Sequence, residues 1–247
     1  MEDDKAKVES GRVLTGIDGL DKMLYGGVPA TNQVVISGGP GAGKTLLSFN
    51  IVYNNAKRGI PSVFITLDET PQNLVRNVKK SFKELGPEID SLIEKKLIVV
   101  EGENPSTRLQ SKSDSPEYTF GNIISDIESI VQSSAARVVV IDSVTLLKLL
   151  FGDEFTYRKA ILLLTSNLHR MGVTSFLTVE MQRPERRGLV FPAEFFLFDG
   201  VISLYQEESE EKRALIAEVI KMRGSNHSWL AAPYEITDGG INFIGIE

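Results

Sequence analysis

The chain has 247 residues, 42% of them hydrophobic, with no cysteine, two histidines and a formal net charge of −6. That length supports one large core and requires no second domain. The absence of cysteine excludes disulfides and thiolate metal sites, two histidines exclude a His-rich centre, and the negative charge argues against a mainly electrostatic attachment to nucleic acid. No apolar run approaches the ~18 residues of a membrane span, and the start Met1-Glu2-Asp3-Asp4-Lys5 lacks a signal-peptide pattern. The expected compartment is the cytoplasm, with no membrane partner.

In chain order, residues 1–12 are charged and aperiodic and read as a flexible arm, leaving residues 13–247 as one domain. Thr15 to Asp21 and Gly26-Gly27-Val28-Pro29 form a turn-rich lead-in with a short helix at about 18–24. Gln33-Val34-Val35-Ile36 is an apolar strand, and Leu46, Leu47, Phe49, Ile51 and Val52 keep helical spacing up to Lys57-Arg58-Gly59. Between them lies Gly38-x4-Gly43-Lys44-Thr45, the spacing of a P-loop. In such a loop the glycines let backbone N–H groups converge on phosphate oxygens. Lys44 then reaches the β- and γ-phosphates, and the Thr45 hydroxyl ligates Mg²⁺. A dinucleotide motif would need a third glycine where Lys44 stands. The implied ligand is a nucleoside triphosphate, and the only expected metal arrives with it.

Ser62 to Leu67 is a buried strand ending at Asp68-Glu69. Thr70-Pro71 opens a helix through Leu74, Val75, Val78, Phe82 and Leu85 that Gly86-Pro87 is expected to stop. Leu97 to Val100 is a third strand, and residues 102–118 form the longest expected loop. Ser115-Pro116 starts a helix, Arg137 to Ile141 is a strand ending in Asp142-Ser143, and a helix over about 156–171 leads to the strand Val173 to Val179, ending at Glu180. Alternating strands and helices imply a mostly parallel sheet with helices on both faces. From about residue 198 four strands follow without helices: Gly200 to Tyr205, Ala214 to Met222, Tyr234 to Ile236 and Ile241 to Ile244. They predict an antiparallel extension.

Hydrolysis of a phosphate anhydride needs a phosphate cradle, a metal, a group that holds the metal shell and a carboxylate that orients water. Asp142, after an apolar strand, is the candidate for the metal shell, with Ser143 beside it. Glu69 is the favoured base because it stands just past a strand end, where an open α/β sheet binds its ligand; Asp68 is the second candidate. Glu180 ends a strand on the same edge and is a candidate γ-phosphate sensor. Lys221-Met222-Arg223-Gly224-Ser225-Asn226-His227 places two cations on one side of a strand.

These segments, with Thr15 to Asp21 and Ile236-Thr237-Asp238-Gly239-Gly240-Ile241, resemble the RecA-like ATPase domain of the KaiC family from about residue 13 to 246. The resemblance implies a single-domain ATPase of the KaiC type, active with ATP and Mg²⁺. It also implies a ring of copies, usually six, with nucleotide between neighbours. Gly39, Gly41, Ala42, Gly43, Lys44, Thr45 and Leu46 would hold the phosphates, and Thr45 and Asp142 the metal. Lys221 and Arg223 would reach a neighbour's γ-phosphate, and Met222, Ser225, His227, Thr237 and Asp238 would line base and ribose. The family shows Glu-Glu where this chain has Asp68-Glu69, which favours Glu69 as the base. Autophosphorylation is not expected, since Glu194-Phe195-Phe196-Leu197-Phe198 offers no hydroxyl. An alternative is a recombination accessory of the RecA type that binds single-stranded DNA under ATP control, for which Arg183, Arg186 and Arg187 supply a basic patch.

Overall fold

The computed structural model describes residues 11–102, 115–181, 186, 190–208 and 213–246. Among them, Arg12–Val13 (β1) and Val28–Pro29 (β2) pair as a small antiparallel ribbon around the helix Asp18–Met23 (α1). The remaining strands form one nine-stranded sheet. They are Gln33–Gly38 (β3), Ser62–Thr66 (β4), Ile98–Glu101 (β5), Val138–Asp142 (β6), Thr174–Glu180 (β7), Gly200–Glu208 (β8), Arg213–Met222 (β9), Ala232–Thr237 (β10) and Gly240–Phe243 (β11). Their order is β11-β10-β9-β8-β3-β7-β6-β4-β5, so the glycine-loop strand β3 lies at the centre.

The strands from β5 to β8 are parallel, and β8-β9-β10-β11 run antiparallel, so the expected extension is present. The first extension strand, β8, is itself parallel to β3, with Val34 opposite Gly200 and Gly38 opposite Leu204. Because side chains alternate along a strand, β3 feeds two cores: Val34 and Ile36 face one, Val35 the other. The first core takes the helices Lys44–Lys57 (α2), Pro71–Ser81 (α3) and Gly86–Glu94 (α4). The second takes Pro116–Ser134 (α5) and Glu154–Arg170 (α6). Burial of Phe49 and Phe64 on one side, and Ile141, Ile161 and Leu177 on the other, makes this sandwich rigid at the sheet's centre.

Two boundaries differ from the sequence expectation. Gly86-Pro87 opens α4 instead of stopping a helix: α3 ends at Ser81, and Pro87 occupies the first turn of the next helix, where a missing N–H removes no bond. Two short 3₁₀ segments, Val144–Leu150 and Ala193–Leu197, follow β6 and precede β8, where no periodicity marks them. Arg12, assigned by sequence to the arm, is in β1; residues 1–10 and 103–114 lie outside the described residues. No helix among the described residues is long and apolar enough to cross a membrane.

Candidate nucleotide site

The parallel strands β3, β4, β6 and β7 end on one edge, and the site grows from what each terminates in. Strand β3 ends at Gly38, where an added Cβ would sit 2.7 Å from the Leu204 carbonyl oxygen, so only glycine fits. Gly41 and Gly43 follow with φ of 77° and 79°, values that side chains disfavour. Gly43 is the left-handed N-cap of α2, no side chain caps this terminus, and its first turn carries no acidic residue. The first N–H groups of a helix have no partner within it, and here they open towards the loop as a ready anion site. Gly39 lends its carbonyl oxygen to the Ala42 N–H, and Leu46 packs against the first core.

Lys44 is buried, and its ammonium donates to the carbonyl oxygens of Gly38 at 2.9 Å and Gly39 at 3.0 Å. Burial lowers its pKa, opposed by the nearby Glu180, Asp142 and Asp68. Thr45 donates its hydroxyl to Asp142 Oδ2 at 2.7 Å. Thr178, on β7, donates to Asp142 Oδ1. Burial pushes the Asp142 carboxyl up, while these two hydroxyls and Lys44 pull it down. Thr178 was missed by sequence reasoning, since β7 carries three hydroxyl residues, Thr174, Ser175 and Thr178, and nothing in the sequence sets one of them apart. Glu180, at the end of β7, donates its backbone N–H to Thr145 Oγ1 at 2.8 Å.

The two neighbouring carboxylates part company. Asp68 turns into the cluster: desolvation, then the charge of Asp142, push its carboxyl up to about 6, and the Ser143 backbone N–H and Lys44 hold it lower than it would otherwise be. Glu69 turns to α3 instead, where its Oε2 accepts from Asn77 Nδ2 at 3.0 Å. Of the two base candidates, the less favoured by sequence stands beside Lys44, Asp142 and Glu180.

The donors near Thr45 are hydroxyl and carboxylate oxygens, the chemistry that Mg²⁺ selects. Among the described residues no three His, Cys, Asp or Glu side chains converge to hold a metal alone. A metal that keeps its waters and arrives on phosphates fits this sparse donor set.

The remaining expected residues fall into two groups. Thr237 and Asp238 lie on the P-loop edge, at the turn between β10 and β11: Ile236 would meet a Cβ on Gly43 at 3.0 Å, and Tyr234 donates its hydroxyl to the Ala42 carbonyl oxygen. Thr237 donates to the Gly240 carbonyl oxygen at 2.8 Å, and Asp238 pairs with Lys83 at 3.1 Å. Lys221 to His227 lies on the opposite edge, because Met222 pairs with Gly200 and Gly200 with Val34. Four residues of β3, about 13 Å, separate Val34 from the loop at Gly38. On that far edge Lys221 donates to the Phe195 carbonyl oxygen at 3.3 Å. Arg223 donates to the Phe196 carbonyl oxygen at 2.9 Å and pairs with Asp199 at 3.4 Å. Burial and the Arg223 charge lower the Lys221 pKa. Ser225 accepts from the Arg12 guanidinium at 2.6 Å, and His227 is buried.

In the arginine-rich stretch, Arg186 pairs with Glu218 at 3.3 Å and Glu207 at 3.8 Å of its own chain, which leaves little for a nucleic-acid phosphate. Arg183 and Arg187 lie outside the described residues.

The family model of the KaiC ATPase matches residues 13–247. The chain belongs to the KaiC ATPase family. A UPF0273 protein of Thermotoga maritima is 35% identical over 240 residues, covering 93% of this chain and 94% of that protein. A UPF0273 protein of Aeropyrum pernix is 32% identical, covering 93% and 92%. The circadian clock oscillator protein KaiC of Acaryochloris marina is 30% identical over 97% of this chain but 45% of its own length, so this chain spans just under half of the clock protein. The crystal structure of a KaiC-like protein from Pyrococcus horikoshii OT3 superposes with a TM-score of 0.78 at 30% identity, covering 95% of this chain and 99% of that one. The KaiC-like, RecA-type fold expected from the sequence is thus the fold observed.

Proposed function

We propose that this KaiC-family chain is an Mg²⁺-dependent ATPase whose reaction takes place between adjacent copies of a ring. The observation that carries the reading is the placement of its two phosphate-seeking clusters on opposite edges of one sheet. The P-loop edge holds Lys44, Thr45, Asp68 and Asp142; the far edge holds Lys221 and Arg223, too distant to serve their own chain's loop. Copies stacked head to tail would bring one chain's far edge onto the next chain's P-loop, and such a heterologous contact closes into a ring when its rotation permits.

In this reading the N–H groups of Gly41 to Leu46 and the Lys44 ammonium hold the β- and γ-phosphates. Lys44 leaves the Gly38 and Gly39 carbonyl oxygens to do so. Thr45 and Asp142 would hold Mg²⁺, which when bound neutralises charge on the β- and γ-oxygens. Asp68 or Glu69 accepts a proton from a water as that water attacks the γ-phosphorus, and the bond from phosphorus to the bridging oxygen breaks, releasing ADP. Lys221 and Arg223 of the adjacent copy would stabilise the spreading negative charge. Met222, Ser225 and His227 would follow along the ribose and base from that copy, with Thr237 and Asp238 closing from the P-loop side.

The test is a double substitution, Lys221→Ala with Arg223→Ala, read by steady-state hydrolysis and by light scattering with ATP, with ADP and without nucleotide. We expect hydrolysis to fall by at least 100-fold while the chain stays folded by circular dichroism. Undiminished hydrolysis, or a wild-type monomer in all three nucleotide conditions, would sink the reading.

A further inference from the structure

A carbonyl and the N–H that follows it lie in one rigid plane and, in a trans peptide, point to opposite sides. A loop that holds anions by its N–H groups must therefore turn the carbonyls of the same peptide units outward, and something must keep them there. The units of the glycine loop are trans. Lys44 takes the carbonyl oxygens of Gly38 and Gly39, but in the proposed function it leaves them when phosphate arrives. Two other side chains hold the next carbonyls. Gln206 Nε2 donates to the Pro40 carbonyl oxygen at 3.2 Å, and the Tyr234 hydroxyl donates to that of Ala42. The opposite ends of these two units are the N–H groups of Gly41 and Gly43. Among the described residues neither N–H donates to a backbone carbonyl.

Both side chains owe their places to the strands. Strand β8 runs beside β3, passes Gly38 at Leu204 and continues to Glu208, so the next residue on the Leu204 face, Gln206, reaches the loop. A Cβ on Gly41 would meet Gln206 Nε2 at 2.9 Å. Tyr234 is buried on β10 and its ring stacks on Phe243 with centroids 5.6 Å apart, which fixes where the hydroxyl points. Burial pushes its phenol up, so the hydroxyl stays protonated and remains a donor at neutral pH. Gly41 and Gly43 are also the residues that would accept the opposite orientation of these planes, since glycine populates φ of either sign. A half-turn of either plane would put a carbonyl oxygen where a phosphate oxygen has to sit. The glycines make both orientations accessible, and the two side chains select one.

We infer that Gln206 and Tyr234 are positioning residues that keep the Gly41 and Gly43 N–H groups turned into the phosphate cradle before nucleotide arrives. The inference rests on the P-loop half of the proposed function and is independent of the ring. A cradle that is only partly populated binds more weakly by that fraction, whereas a bound polyphosphate itself restores the orientation, so turnover at saturation is largely spared. Loss of one such hydrogen bond corresponds to about a three- to tenfold change in an equilibrium.

The experiment measures Kd by titration calorimetry for ATP·Mg²⁺ and for tripolyphosphate·Mg²⁺, which has the phosphates without base or ribose. It compares wild type, Gln206→Met, Tyr234→Phe and the double variant, with KM, kcat and Tm alongside. Each single variant should lose about three- to tenfold in affinity for both ligands, and the double variant the product of the two losses. KM should rise in step, with kcat falling far less. Gln206→Glu, of the same size but with an acceptor in place of the donor, should bind both ligands more weakly than Gln206→Met. Gln206 is only half-buried, so Gln206→Met should keep the wild-type Tm, and it decides the matter even if Tyr234→Phe is unstable. An unaltered Kd for tripolyphosphate in Gln206→Met overturns the inference. A loss confined to ATP, or a fall in kcat at unchanged Kd, overturns it as well. A wild type that binds neither ligand removes the cradle on which the inference depends. A wild-type monomer that binds both, with the losses above in the variants, upholds the inference while sinking the ring.

Discussion

Asp68 and Glu69 share a strand end and meet different surroundings, and the difference is measurable. Asp68 is solvent-exposed as a whole, yet its carboxyl faces Asp142 and Glu180 and is pushed up to about 6. In the unfolded chain it titrates near 4. Between those values the folded state holds a proton that the unfolded state has released, so stability falls as pH rises through that window. In protein free of nucleotide and divalent ions, Asp68→Asn should remove this dependence. It should also raise stability near neutral pH by at most about 1 kcal/mol, discounted for solvent screening, or about 1–3 °C in Tm. Thermal melts of the two proteins at pH 4 and pH 7.5 check this; a Tm gap that does not widen at the higher pH counts against the placement of Asp68. A residue held in a destabilised state suits a reactive position. The sequence alone could not separate the two carboxylates, because both follow the same strand. What separates them is Asn77, in the second turn of α3, which captures Glu69.

At the scale of elements, the far-edge loop owes its shape to the lead-in before the P-loop. Arg12 of β1 donates to the carbonyl oxygens of Leu24 at 2.9 Å and Gly27 at 3.0 Å, and to Ser225 Oγ at 2.6 Å. It thus ties β1, the α1 turn and the Lys221–His227 segment together, and the Ser228 bond to Met23 adds a second tie. Arg12→Ala should cost about 1–3 kcal/mol, seen as a lower urea midpoint, because a charged donor and several carbonyl oxygens lose their partners. Arg12→Lys should recover only part of this, since an ammonium cannot fork to these acceptors as guanidinium does. A midpoint unchanged in Arg12→Ala would show that β1 does not brace the loop. Sequence patterns foretold the central elements because β3, β4, β6 and β7 are short runs rich in β-branched and apolar residues and α2 carries clear stop signals. They failed at Gly86-Pro87, where the same dipeptide serves a helix end and a helix start, and only the packing of Ile89 and Leu92 on α2 and β5 decides. The role of Arg12 was invisible for a different reason: its partners lie 12 to 213 positions away.

For the whole molecule, the separation of the two clusters makes a stringent demand on any assembly. A chain with Lys44→Ala keeps its far edge intact but loses its phosphate cradle, and a chain with Arg223→Ala does the reverse. Each alone should be inactive in the interfacial reading, the first because no nucleotide is held productively, the second because no neighbour completes the site. Mixed in equal amounts before nucleotide is added, they should regain activity. On random assembly about a quarter of the junctions pair an intact P-loop with an intact far edge, so hydrolysis should return to roughly a quarter of the wild-type rate per chain. A site contained within one chain cannot be rescued this way, because every chain in the mixture carries one defect. The recovered rate should also fall steeply on dilution, since it belongs to a contact and not to a fold. Absence of recovery in a mixture that light scattering shows to be co-assembled would place the catalytic cations within the P-loop's own chain. The register of β3, β8 and β9 argues against that outcome: Lys221 pairs with Val201, at the end of the sheet remote from Gly38.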